Sequence, residues 1–285
     1  MSSLLFVLAL LAAEDQAPAP DSAAERQRQQ EVAALASAKA KMLVLSVGDE
    51  QQPTKAALHP DPLLRWSNPT AGSVYGEVYL WSVDERPVAV ASIYRWYHPY
   101  KDATVEIVSL TEKAIEAREG SALVWNSTSS GLARKAVPDA PPPAQTRGAR
   151  VTQMRTIARR FAAELADKRG GEDVRRELRL LNQPVHRYES PQQGIVDGAM
   201  FALVEVTDPE AWLILEAVKS GEGTRWEYTL ARMNADAMEI RLDRTIVASW
   251  PKVSQPWKDR KAPYTLFSFD PKLVPLEDKS KEAAR

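Results

Sequence analysis

VYGEVYLWSVDERPVAVASIYRWYH, residues 74–98, is the stretch on which the reading of this chain turns. Apolar and aromatic residues alternate with small or polar ones on both sides of Asp84-Glu85-Arg86-Pro87, the pattern of a β-hairpin. A turn centred between Glu85 and Arg86 sets Trp81 opposite Val90, Tyr79 opposite Ser92, Glu77 opposite Tyr94 and Tyr75 opposite Trp96. Alternate residues of a strand share a face, and so do directly opposed residues. In that register one face carries Val74, Gly76, Val78, Leu80, Ala89, Ala91 and Ile93, an ordinary core face. The other carries Tyr75 with Glu77, Tyr79, Trp81, Tyr94, Trp96 and His98. The last six are the candidate ligand-binding residues, because flat rings around one carboxylate are what ligand clefts are made of. Rings stack on sugars, bases or prolines, and Glu77 orients a hydroxyl or amine. The competing reading packs the aromatic face under a helix or a second sheet. A slip of one residue sends the two aromatic rows to opposite faces and dissolves the cleft.

Outward from the hairpin, the chain reads as helix followed by antiparallel strands, twice. Ser22-Ala-Ala-Glu25 fits a capping box and predicts a helix over 23–45, stopped near Gly48. Pro53, Pro60, Pro62 and Pro69 make 51–70 a loop. Segments 104–111 and 122–125 are further strands. A second helix is predicted over 152–168, with Met154, Ile157, Ala158, Phe161 and Leu165 on one face. Strands follow at 199–206, where both faces are apolar, and at 212–218, 225–233, 238–242 and 246–250. Residues 177–188 fit either a strand or a helical turn, and Arg179 is a candidate anchor for Asp197 or Glu205. Tyr75-Gly76, Val83-Asp84 and Val90 loosely echo Asp197-Gly198, Val206-Thr207-Asp208 and Leu215. The expected class is therefore α+β, two helix-plus-antiparallel-sheet units with a weak internal duplication. The expected boundaries are a signal peptide and leader over 1–20, one unit over 21–136, a Pro-rich linker over 137–149, a second unit over 150–276 and a charged tail over 277–285.

Composition narrows the function. Residues 4–13 are all apolar and are followed by polar, Pro-rich sequence, the shape of a secretory signal peptide, although no Lys or Arg precedes the run. An extracytoplasmic protein, periplasmic or secreted, is the expectation. The chain has no cysteine, which removes disulfides and thiolate chemistry. Its 37 basic and 38 acidic residues nearly cancel, which argues against nucleic acid as a partner. No later apolar run has the roughly 20 residues needed to span a bilayer.

Catalytic signatures are weak. The histidines are His59, His98 and His186, and His59-Pro60-Asp61 offers two ligands without an identifiable third, so no metal or other cofactor is predicted. Ser249-Trp-Pro-Lys252 matches S-x-x-K by letter only, and there is no G-x-S-x-G elbow, phosphate loop or dinucleotide fingerprint.

Leu64-Arg-Trp-Ser-Asn-Pro69 with Gly76, Glu177-Leu-Arg-Leu-Leu181 with Pro184 and Arg187-Tyr188, and Asp197-Gly198 with Thr207-Asp-Pro-Glu210 resemble a family of uncharacterised exported bacterial proteins over about residues 60–250. The resemblance implies export and assigns no functional residue. The leading expectation is a non-enzymatic binding or scaffold module of the periplasm or cell envelope. Its partner would be an unknown small ligand, a glycan or an envelope protein. The alternative is a hydrolase of envelope polysaccharide or ester, with Glu77 or Asp197 as acid/base and His98 assisting. A third reading is a purely structural partner-binding protein.

Overall fold

The computed structural model describes residues 22–48, 51–128, 132–167, 174–221 and 223–276. The expected leader and charged tail lie outside the described residues. In chain order the N-terminal half contains α1 (Ala23–Met42), β1 (Leu43–Val47), β2 (Thr54–Lys55), β3 (Ala57–Leu58), β4 (Leu64–Ser67), β5 (Ser73–Val83), β6 (Arg86–His98), β7 (Ala103–Ser109), β8 (Ile115–Glu119), β9 (Ala122–Ser127) and β10 (Lys135–Ala136). The C-terminal half contains α2 (Arg147–Ala158), β11 (Phe161–Asp167), β12 (Val174–Leu180), β13 (His186–Ser190), β14 (Ile195–Glu205), β15 (Asp208–Ser220), β16 (Gly223–Arg232), β17 (Met238–Leu242), β18 (Thr245–Trp250) and β19 (Tyr264–Phe269).

The expected α+β class of two helix-plus-sheet units is overturned. Two α-helices stand against three antiparallel sheets that take up most of the described chain. The halves also share sheets. β10, from the first half, pairs with β16, and β19, from the end of the chain, pairs with β7. A segment of each half thus closes the edge of the other half's sheet, as exposed edges favour. The six-stranded sheet runs β19-β7-β6-β5-β3 with β4 on β5; the nine-stranded sheet runs β10-β16-β15-β14-β12-β11-β17-β18 with β13 on β14.

Their alternation builds the core. Val74, Val78, Leu80 and Val90 of the six-stranded sheet meet Met200, Ala202, Val204, Trp212 and Ile214 of the nine-stranded one in a seam between the sheets. Outside it, Tyr79, Trp81, Ala91 and Ile93 pack under α1 and the small β2-β1-β8-β9 sheet. On the far side Phe201, Leu203, Leu213 and Leu215 pack against α2, β11 and β17.

The helices differ from expectation at their ends. α1 begins where the sequence says: Glu25 N–H donates to Ser22 Oγ at 3.2 Å, and the Glu25 carboxylate accepts from Ser22 N–H at 2.7 Å. It stops at Met42, and Leu43–Val47 becomes a strand paired with β8. α2 keeps Met154, Ile157 and Ala158 but ends before Phe161. Phe161 and Leu165 lie on β11, which is held between β12 and β17. Sheet pairing on both sides overrides a local helix preference that Ala162, Ala163, Glu164 and Leu165 make strong.

Candidate functional site

The hairpin forms, but its register differs from the expected one. Asp84 and Glu85 have φ of 49° and 64° and form a two-residue loop closed by Val83 opposite Arg86. This loop matches the twist of the strands. One residue is then inserted: Ser82 pairs with Pro87, Trp81 with Ala89, and Val88 is the extra residue of a β-bulge. The remaining pairs are Tyr79 with Ala91, Glu77 with Ile93 and Gly76 with Tyr94. The expected common aromatic face is therefore not formed. Tyr79 and Trp81 are buried beneath α1, and Tyr94 and Trp96 turn to the seam. Glu77 lies on the α1 side, where it accepts from Arg65 Nε and Tyr79 Oη, both at 2.7 Å, and lines a hollow of about 250 Å³ with Gln29, Arg65, Trp66 and Tyr75. His98 is exposed at the end of β6.

Tyr94 and Trp96 instead belong to a different cleft, of about 330 Å³, at one end of the seam. Trp66, Trp96 and Tyr100 supply rings, with Trp66 and Tyr94 centred 5.5 Å apart and Trp96 and Tyr100 edge to face at 5.2 Å. Glu106, Glu205, Asp208, Glu210 and Asp236 supply carboxyls. Two reciprocal hydrogen bonds fix the geometry: Ser67 N–H donates to Thr207 Oγ1 at 2.9 Å, and Thr207 Oγ1 donates to Ser67 O at 2.7 Å. They tie the end of β4 to the β14–β15 turn, where Val206 takes φ of 57°. That is a strained conformation for a β-branched residue.

Arg176 pairs with Glu205, Lys252 Nζ lies 2.6 Å from Asp236, and Arg232 lies near Glu106. Arg232 spends its own N–H groups on the carbonyls of Asn234, Asp236 and Pro251. Glu106 accepts from Tyr264 Oη, but burial pushes its carboxyl up to about 7. Glu210 is 3 % exposed, and burial together with the Asp208, Glu106 and Glu205 charges drives it well above the carboxylate range. Its Oε2 accepts from Asn234 Nδ2, and no hydrogen bond from the described residues reaches Oε1.

The opposite end of the seam repeats the backbone with other side chains. Tyr188 of β13 lies over Gly198 of β14 as Trp66 of β4 lies over Gly76 of β5. A Cβ on either glycine would sit 2.5 Å from the ring, so only glycine admits the aromatic there. Gly198 pairs with Glu216 as Gly76 pairs with Tyr94. Each hairpin turn is followed by a proline and then a bulged residue, Val88 after Pro87 and Glu210 after Pro209. The bulged carbonyls accept from Leu110 N–H and Met233 N–H, both at 2.7 Å. At this second end Arg86 Nε donates to Glu216 Oε1 at 2.8 Å, and Tyr188 Oη donates to the same oxygen at 2.6 Å. A cation and a phenol satisfy the buried carboxylate and fill the space.

Asp197, the other acid proposed from the sequence, is fully buried between Arg150 and Arg187 at 2.8 and 2.5 Å, a cross-tie of α2, β13 and β14. Arg179 instead donates to Val206 O at 2.7 Å. His59 and His186 meet edge to face at 5.4 Å; burial and the His59 charge hold His186 down at about 4. Among the described residues no three His, Asp or Glu side chains converge as a metal site. Sequence reasoning missed Glu106, Asp208 and Glu210 as a group, because Glu106 on β7 lies about a hundred residues from the two acids of β15 and the acid at 210 has no local signature.

Neither a family model, nor a curated protein, nor a solved structure matches the chain.

Proposed function

We propose that the protein is a non-enzymatic binding module of the periplasm or cell envelope whose ligand occupies the seam cleft. The observation that carries this reading is the cleft itself: aromatic walls, a carboxyl floor and an equivalent position at the other end of the seam that side chains fill. Clefts with apolar walls and a few convergent polar groups are the usual form of a binding site. The apolar run of residues 4–13 and the resemblance to exported bacterial proteins support the location. No helix of the described residues is long and apolar enough to cross a membrane. A thermal-shift screen of amines, oligosaccharides and peptides tests the reading, with each hit repeated on Trp96→Ala and Tyr100→Ala. Tyr100 is 61 % exposed, so its loss leaves the fold intact. Hits should weaken on both variants, and equal binding to wild type and variants would remove the cleft.

One observation favours a second reading, a hydrolase of polysaccharide or ester. A carboxyl held at about 7 beside a second raised one is the arrangement of a general acid at neutral pH. Turnover in a glycan and ester panel, abolished by Glu106→Gln, would establish it. An unchanged rate in that variant would take Glu106 out of the chemistry.

A further inference from the structure

We propose that the seam cleft takes a cationic organic ligand, a guanidinium or amine borne on a flat or apolar body, and that Glu210 with Glu106 supplies its counter-charge. This inference rests on the reading of the cleft as a ligand site, and it names the ligand's chemistry. Three observations carry it.

The first is the comparison of bulged residues. Val88 and Glu210 hold the same place in two hairpins of the same pairing, and each carbonyl is bound by the residue that follows the third strand. Valine meets every backbone requirement of that place, so the fold does not need an acid there. A buried carboxyl without a cation is costly, and it is retained where it has a task.

The second is the closed end. There the residue that follows the two-residue turn is Arg86, and its guanidinium satisfies Glu216, which is 1 % exposed. At the open end that place is taken by Asp208. The protein thus shows at one end the ion that satisfies an acid of the seam, and at the other sets acids in its place.

The third is the charge count around Glu210. Facing it from β7 is Glu106, from β14 Glu205, from its own strand Asp208, and from the loop after β16 Asp236. Arg176 serves Glu205, Lys252 serves Asp236, and Arg232 is held by carbonyls and lies over the Tyr264 ring at 5.2 Å. Tyr94 and Tyr264 face the same space and stay neutral, since burial raises both. Glu210 Oε1 is left for the ligand, and Trp66, Trp96 and Tyr100 line the same space as aromatic residues, the type that attracts a cation.

Arrival of a cation would expel protons that burial keeps on the acids, so affinity should rise with pH over the range in which Glu106, held at about 7, is protonated. Agmatine and spermidine are suitable probes, with fully N-acetylated chitotriose as a neutral control, by titration calorimetry at 150 mM salt. The expected result is saturable amine binding, about tenfold tighter per pH unit from 5 to 7, with proton release seen as a dependence of the heat on buffer. Glu210→Val should keep or raise the melting temperature and lose at least tenfold in amine affinity, and Glu106→Gln should make the pH dependence shallower. Chitotriose bound in the cleft while both amines fail would overturn the cationic ligand and leave the binding site standing. Amine binding untouched by Glu210→Val would also overturn it. Failure of every amine, sugar and peptide probe at the cleft would overturn this inference and the site reading together.

Discussion

The two ends of the seam share a backbone plan and differ in how their buried acids are answered. At the closed end Glu216 meets Arg86 and Tyr188 within one chain. At the open end Glu106 and Glu210 face a cleft, and the sequence supplies Asp208 where the other end has arginine. The difference teaches that the sandwich is stable with the seam sealed. The open end is thus a property of particular side chains and is not forced by the sheets. It also separates structural acids from available ones. Glu216, Asp197 and Glu77 each have an arginine at 2.5–2.9 Å, whereas Glu210 has an amide.

The sharpest way to break the comparison is to open the closed end. Arg86→Ala leaves the buried Glu216 with only the more distant Arg134, 4.0 Å away, and should cost about 2–4 kcal/mol in urea unfolding. Arg86→Met with Glu216→Leu and Tyr188→Phe should recover most of that loss, because apolar side chains of similar volume replace the ion pair and no buried hydroxyl is left without its acceptor. If Arg86→Ala alone cost under about 1 kcal/mol, the closed end would not be held by that pair.

The next effect is on pH dependence at the open end. The Glu106 carboxyl moves from an ordinary 4.5 to about 7 on folding, so between those values the folded state binds the extra proton. Its contribution is fully present below about 4.5 and is lost as pH rises to 7, by about 3 kcal/mol at 1.36 kcal/mol per unit. Glu210 acts in the same direction. Urea midpoints measured across that window should fall with rising pH in the wild type and fall less in Glu106→Gln. A rising midpoint in the wild type would show that these acids are not buried as described.

A smaller effect tests whether the ends are equivalent in backbone. Gly76→Ala and Gly198→Ala should each cost about 1–3 kcal/mol, since each new methyl must displace a ring. Only Gly76→Ala moves Trp66, a wall of the cleft, so it alone should also weaken ligand binding. Smallest of all is Tyr100→Ala, expected within about 0.5 kcal/mol of wild-type stability because its ring is exposed.

Part of this was legible in the residues. Capping by Ser22 and Glu25, the central placement of the apolar strand 199–206 and the existence of the 74–98 hairpin are local facts, written in neighbouring side chains. The echo between Tyr75-Gly76 and Asp197-Gly198 marks two hairpins that pair alike, but it does not divide the chain into units, because β10 and β19 cross between the halves. The site was less legible. Of the six residues singled out, Tyr94 and Trp96 reach the cleft, Glu77 lines another hollow, Tyr79 and Trp81 are core, and His98 is outside. A single inserted residue at Val88 accounts for the split, since side chains alternate with a period of two and one extra residue exchanges the faces.

By itself the sequence determined the β-pattern of the long hairpins, the cap of the first helix, the absence of thiol chemistry and a near-zero net charge. Only the tertiary structure decided that Phe161 and Leu165 would be strand, that edge strands would be exchanged, and that acids from β7 and β15 would meet beneath Trp66 and Tyr94. The physical reason is range. Capping and alternation act between residues a few positions apart, whereas pairing, burial and the charge of a cleft arise from strands far apart in the chain.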